Sequence, residues 1–375
     1  MSAAAPLLST AATGYAGALN LPEQTPGICT HGGWKADADA GPRKSDGSSA
    51  AGPNCTYVGR RIAPSSTGTV VAVGCARNVA SSLRTARSAN RGLEALDSSA
   101  PNVAYVLFHD VPRGGDRDGT RDELLRMAAR SERVRLVLAQ PLLYPGWSRT
   151  QRLALCRNVL LAEALSAAAS GDGAAGAAMV ALDLDCDAGT HDAMARAAAA
   201  AGAALAGAAP WAALTANSPG EYHDRWALRS AALGLDYDCQ FAKQTRTLGG
   251  CADWSLRLDP RAPVFAVDSA FNGLGVYDLR QMRRAGADEC RYRGSRNSMN
   301  CEHVPFHLCL RRKGLAVAVD PGMVVGCGAA RLGPAWRVRS KAAVFANGTL
   351  WRAQRAGNWT GIWMPAPAVE AGAAG

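Results

Sequence analysis

Three aspartates stand at every second position in the stretch MVALDLDCDAG, residues 179–189. In an extended chain this spacing puts Asp183, Asp185 and Asp187 on one face, where like charges repel unless a cation or a proton intervenes. The apolar run before them reads as a buried strand. The arrangement is therefore a divalent-cation site at a strand end or an end frayed into solvent, and oxygen donors of this kind suit Mn2+ or Mg2+. A calcium-binding EF loop also begins with alternating aspartates, but it needs glycine at its sixth place and glutamate at its twelfth. Ala188 and Met194 stand there. A phosphatase with a nucleophilic aspartate pair needs Thr or Val where Asp187 stands, at the opening of its domain.

Other reactive side chains also follow apolar runs. Gly74-Cys75-Ala76-Arg77-Asn78 comes after one, and His109-Asp110 after the next. Asp110 reads as a ligand contact or as a turn and capping residue. Arg157, on an alanine-rich helical pattern, reads as a phosphate contact or a solvated side chain. Glu302 and His303 open CEHVPFHLCLRRKG, a helical segment with a glycine stop. Facing a site, either is a candidate general base; facing solvent, an acidic residue there merely complements the helix dipole. His307 shares a helical face with His303, a spacing that can hold a metal, although Pro305 interrupts the segment and a buried histidine is commonly a hydrogen-bonded core residue. Trp211, Tyr222, Trp226 and Tyr237 supply rings that stack on sugar faces or pack in a core. Residues 226–229 read as an amphipathic helix, which assigns Trp226 to the core and leaves Trp211 and Tyr222 open.

The elements that must position these residues alternate. Strands are expected over residues 69–74, 103–108, 133–139 and 178–184, with helices over 78–95, 121–130 and 149–170 between them. The second half is less regular, with a strand-like run at 264–267, a turn or strand leading into a helix over 270–285, the helix at 301–314 and a strand over 315–325. Such alternation implies an α/β fold: a Rossmann-like three-layer sandwich with a mostly parallel central sheet and helices on both faces. Ligands in such sheets sit beyond the carboxyl ends of the strands, where Asp110 and the aspartate cluster both fall. Residues 1–66, rich in Ala, Gly, Ser, Pro and Thr, read as a disordered low-complexity extension. The folded catalytic domain is expected over 67–330, and 331–375 reads as a second, partly disordered extension.

Composition narrows the classes. With 375 residues and 48% hydrophobic content the chain can bury a large core. The net charge of +10 is spread through the chain, with only Arg311-Arg312-Lys313 forming a run, so it reads as surface charge plus one anionic pocket and not as a nucleic-acid interface. The 11 cysteines contain no C-x-x-C pair and no small-domain framework. Sequons at Asn54, Asn347 and Asn358 permit a secretory lumen without requiring one. No stretch approaches the roughly 20 apolar residues of a membrane span, and the first thirty residues lack a secretory leader pattern; a soluble protein of the secretory lumen or the cytoplasm is expected.

Taken in order, these segments resemble the GT-A superfamily of nucleotide-sugar glycosyltransferases, and its family 2-like branch above all, over residues 68–326. Phe108-His109-Asp110 with Gly115-Asp116-Arg117-Asp118-Gly119-Thr120 resembles that family's second strand and Asp-Gly-Thr turn; Arg157-Asn158 resembles its Arg-Asn; Asp183-Leu184-Asp185 resembles its DxD motif. Phe271-Asn272-Gly273-Leu274-Gly275 is similar to its glycine-containing segment. Glu302 to Arg311 is similar to Glu-Asp-x-Asp-Leu-x-x-Arg, with His303 replacing an aspartate. The resemblance implies transfer of a sugar from a UDP- or GDP-sugar donor to a hydroxyl acceptor on a glycan, lipid or protein. It implies donor contacts at Asp110, Arg157, Asp183 and Gly273, and a cation on Asp183 and Asp185, with His307 as a further ligand. Glu302 or His303 would then be the base. The His303 replacement leaves open a catalytically silent nucleotide-sugar or glycan-binding protein with a decayed GT-A fold.

Overall fold

A computed structural model describes residues 54–62, 65, 68–84, 89–100, 102–110, 115–139, 147–169, 176–187, 191–220, 222–231, 235, 255–295 and 301–327, together with strand backbones at 24–28, 342–346, 349–353 and 359–363. The elements in order are β1 (Gln24–Ile28), β2 (Asn54–Val58), β3 (Thr69–Ala76), α1 (Ala80–Arg84), α2 (Ala89–Ser99), β4 (Val103–His109), α3 (Thr120–Arg130), β5 (Val134–Ala139), α4 (Arg149–Ala169), β6 (Ala177–Asp183), β7 (Cys186–Asp187), α5 (His191–Ala206) and β8 (Ala213–Asn217). They continue with β9 (Ser255–Leu258), β10 (Phe265–Val267), β11 (Leu274–Asp278), α6 (Leu279–Arg284), α7 (His303–Arg312), β12 (Val317–Val324), β13 (Gly326–Cys327), β14 (Ala342–Ala346), β15 (Thr349–Ala353) and β16 (Trp359–Trp363).

A 10-stranded sheet in the order β1-β2-β5-β4-β3-β6-β11-β8-β12-β10 forms the middle layer. Strands β5, β4, β3 and β6 are mutually parallel, and β8 and β12 are parallel to each other. Strand β11 runs against both β6 and β8, which restores the common direction beyond it, so the sheet is mostly parallel with β2, β10 and β11 reversed. The central strands are apolar without interruption because helices cover both faces. Their side chains still alternate: Val71, Val73, Val106, Phe108 and Met179 enter one core with α4, α6 and α7, while Val70, Ala72, Tyr105, Leu107 and Val180 enter the other with α2, α3 and α5.

Local chemistry sets the ends that matter for the site. Ser148 and Gln151 form a capping box at the start of α4: Gln151 N donates to Ser148 Oγ at 3.2 Å and Ser148 N to Gln151 Oε1 at 3.0 Å. Pro305 is tolerated because it sits in the first turn of α7, where no intrahelical N–H partner is needed. Three sequence expectations change. The helix over 78–95 is two helices, α1 and α2, with residues 85–88 outside the described part. Residues 226–229 form a turn and a bridge from Arg229 to Ser269 instead of a helix, because Ala227 N donates to Asp224 at 3.2 Å and closes a turn there. Strand β2, from the stretch expected as an extension, pairs with β5 and buries Cys55 and Val58; most of residues 1–66, and of 331–375, lies outside the described residues.

Candidate active site

A cavity of about 460 Å³ opens at the carboxyl ends of β3, β4 and β6. One wall is a stripe of α4, Arg149, Arg152, Leu153, Cys156 and Arg157, spaced so that all face the same side. Disulfides Cys75–Cys156 and Cys186–Cys327 tie that wall and the aspartate loop to the sheet. Asp110 ends β4 and accepts ion pairs from Arg77 at 2.9 Å and Arg152 at 3.4 Å. The Asp118-Gly119-Thr120 turn lies behind it. Thr120 Oγ1 accepts from Val79 N at 2.8 Å and Asp118 Oδ2 from Ala80 N at 3.0 Å, so this turn caps the loop that carries Arg77.

At the end of β6, Asp183 and Asp185 bring carboxylate oxygens, with the Cys186 sulfur, within 4.8 Å of one another. Cys186 is spent in its disulfide with Cys327, so the usable donors are the two carboxylates, a hard-oxygen pair that fits Mn2+ or Mg2+. Asp185 is exposed at the cavity mouth, yet desolvation by the surrounding groups and then the Asp183 charge push its carboxyl above its ordinary value. Tyr237 and the Asp187 side chain fall outside the described residues.

Arg157 links the two ends of the site. Its guanidinium donates to Asp183 Oδ1 at 2.8 Å and to Glu302 Oε1 at 3.0 Å, and its Cζ lies 4.6 Å from the Phe271 ring centre. Burial alone would lower its pKa, but the Asp183 and Glu302 carboxylates outweigh burial and raise it. Glu302 makes no side-chain cap of α7; it serves as the buried counter-ion of Arg157. His303 stacks on Phe271 at 3.9 Å, and burial followed by the Arg157 charge drives its pKa well below the ordinary value. It is therefore a neutral imidazole, with neither ring nitrogen hydrogen-bonded among the described residues.

The structure brings Asp110, Arg157, Asp183, Asp185, Gly273, Glu302 and His303 to one cavity and leaves His307 out. His307 is fully buried, with Nδ1 3.2 Å from Ser269 Oγ and Nε2 3.1 Å from Tyr277 Oη. Both nitrogens are occupied, so it is not a metal ligand. Gly273 is required by backbone and space: its φ is +81°, and a Cβ there would lie 2.2 Å from Cys327 Sγ and 2.6 Å from Cys186 Sγ. Its carbonyl accepts from Asp183 N at 2.8 Å, so it seats the aspartate loop against the disulfide.

Asp224, absent from the sequence-derived site, also lines the cavity. It is clasped to the loop before β11: Asp224 N donates to Asn272 Oδ1 at 3.2 Å and Asn272 N to Asp224 Oδ2 at 3.3 Å. Burial, and then the Asp183 charge, push its carboxyl up to about 6, a poise that suits a general base near neutral pH. Its signal in the sequence was a lone aspartate amid aromatics, and no spacing rule distinguishes that from a turn. Trp226, assigned to the core from the sequence, packs against the core and also lines the cavity, while Trp211 and Tyr222, left open, are buried.

No protein-family model matches the chain, and no curated protein matches it in sequence. Among solved structures, a mannosyltransferase from Pyrobaculum calidifontis, in complex with GDP-Man and Mn2+, aligns at a TM-score of 0.38 and 14% identity, covering 72% of this chain and 61% of that one. The chain thus spans less than two thirds of that protein's length.

Proposed function

We propose that the chain is a GT-A-like glycosyltransferase that moves a sugar from a nucleotide-diphosphate donor to a hydroxyl acceptor. The observation that carries this reading is the single cavity in which the carboxylate pair Asp183 and Asp185, an arginine-bearing wall and the poised carboxylate Asp224 converge. A divalent cation on Asp183 and Asp185 would supply charge neutralisation to the leaving diphosphate. Arg149, which has no ion-pair partner among the described residues and stands at the N-terminus of α4, would bind a phosphate oxygen. Arg157 fixes the Asp183 carboxylate, and the Asp110 carboxylate would accept from a nucleobase N–H.

Asp224, not Glu302 or His303, is the group suited to take the acceptor proton. Glu302 is committed to Arg157, and the imidazole of His303 is held neutral with a pKa far below the working range. His303 would instead hydrogen-bond a sugar hydroxyl. The disulfides Cys75–Cys156, Cys186–Cys327 and Cys290–Cys309 favour an oxidising secretory lumen over the cytoplasm. The test is release of nucleoside diphosphate from a panel of UDP- and GDP-sugars with and without Mn2+. Metal-dependent turnover lost in Asp185→Ala supports the reading. Binding without turnover for every donor would refute it and leave a catalytically silent nucleotide-sugar-binding protein.

A further inference from the structure

The cavity is not uniform in charge, and the strand order shows which side is which. Over β4 and β3 stand Arg77, Arg152 and Arg149 with, among the described residues, the single carboxylate Asp110. Strand β6, with Asp183 and Asp185, comes next in the sheet, and beyond β11 lies β8, whose following loop carries Asp224 and Trp226. On that far side the carboxylates are Asp224 and Glu302, the imidazole of His223 stands beside Asp224, and the sole guanidinium or ammonium lining it among the described residues, Arg157, is already bonded to Asp183 and Glu302. His303 adds a side chain 1% exposed whose two ring nitrogens lack hydrogen-bond partners among the described residues. Leaving such a group without a partner is costly, so it marks a place where a ligand hydroxyl completes the structure.

We infer that the Trp226–Asp224–His303 side of the cavity is a subsite for an uncharged pyranoside, which makes the acceptor a neutral sugar and excludes phosphorylated or uronate acceptors. This rests on the glycosyltransferase reading for its role, though not for its binding chemistry. An indole presents an apolar face to the C–H face of a pyranose, a neutral imidazole donates to one hydroxyl oxygen or accepts from one hydroxyl, and Asp224 accepts from the hydroxyl that would attack. A phosphate or carboxylate placed there meets two carboxylates and, among the described residues, no free guanidinium or ammonium, so its lost hydration is not replaced. The anionic donor has its counter-charges on the other side. The two ligands are thereby sorted by charge within one cavity.

The test uses the full chain with Mg2+ and three probes: a methyl pyranoside, the corresponding methyl uronate and the 6-phosphate, with binding read by saturation-transfer NMR. The neutral probe binds, and the two anionic probes bind at least about tenfold more weakly. Trp226→Ala abolishes binding of the neutral probe while nucleoside diphosphate binding is unchanged, and Trp226→Phe retains part of the neutral binding, which separates lost stacking from lost folding. Equal or tighter binding of the anionic probes overturns the inference, as does neutral binding that survives Trp226→Ala. If the pyranoside preference holds while no donor sugar is turned over, the transferase reading fails and the subsite stands.

Discussion

Replacing Arg157 with leucine removes the one cation that separates Asp183 from Glu302. Two charge-assisted hydrogen bonds, at 2.8 and 3.0 Å, disappear, each contributing roughly 1.5–3 kcal/mol. Orphaning a buried charge in this way costs about 3–5 kcal/mol. Asp183 keeps 31% of its side-chain surface in contact with solvent while Glu302 keeps 4%, so Glu302 carries most of the penalty and the expected loss is about 3 kcal/mol. Urea unfolding of wild type and Arg157→Leu at about pH 7.5 should show that difference. Adding Glu302→Gln to Arg157→Leu should recover part of the loss, because the orphaned charge is gone. A difference below about 1 kcal/mol would refute the view that Arg157 is a buried counter-ion.

Asp224→Asn should abolish transfer while leaving donor binding intact, and it should raise the melting temperature slightly at neutral pH. The sign follows from burial: the folded-state carboxyl is pushed up to about 6, so the ionised form destabilises the fold above that value and its neutral replacement does not. In the wild type the base form is lost as pH falls through about 6, so kcat/KM should decline on the acid side of its profile, and a profile without that limb would argue against Asp224 as base. Asp185→Ala should weaken Mn2+ binding, followed by the electron paramagnetic resonance signal of the free ion, on the order of 100-fold. Removing Cys186–Cys327, which closes 141 residues, should cost about 5 kcal/mol, against about 3 kcal/mol for Cys290–Cys309, which closes 19; differential scanning calorimetry of the paired Cys→Ser variants checks that order.

Much of the scaffold was legible because its signals are local. Apolar runs of strand length at 69–74, 103–108 and 178–184, separated by helical patterns, pointed to buried parallel strands, which the fold forms over 69–76, 103–109 and 177–183. The alternation of aspartates beyond β6 read as a cation site or a strand end frayed into solvent, and the fold brings the Asp183 and Asp185 carboxylates close together there. What no local signal contained was the pairing across the fold. Arg157, Asp183 and Glu302 are far apart in the chain, and only the convergence of α4, the end of β6 and the start of α7 on one cavity joins them into one ion-pair chain in which Glu302 is held by Arg157. His307 likewise shares a helical face with His303, yet it turns into the core to meet Ser269 and Tyr277 on other elements. Asp224 acquires its raised pKa only because folding buries it near Asp183 and clasps it to Asn272. The sequence by itself determined the α/β alternation and the gathering of the aspartates at a strand end, with a cation there as one of two readings. Tertiary structure decided which carboxylate is neutralised and which is poised, because desolvation and charge pairing depend on neighbours the chain supplies only after folding.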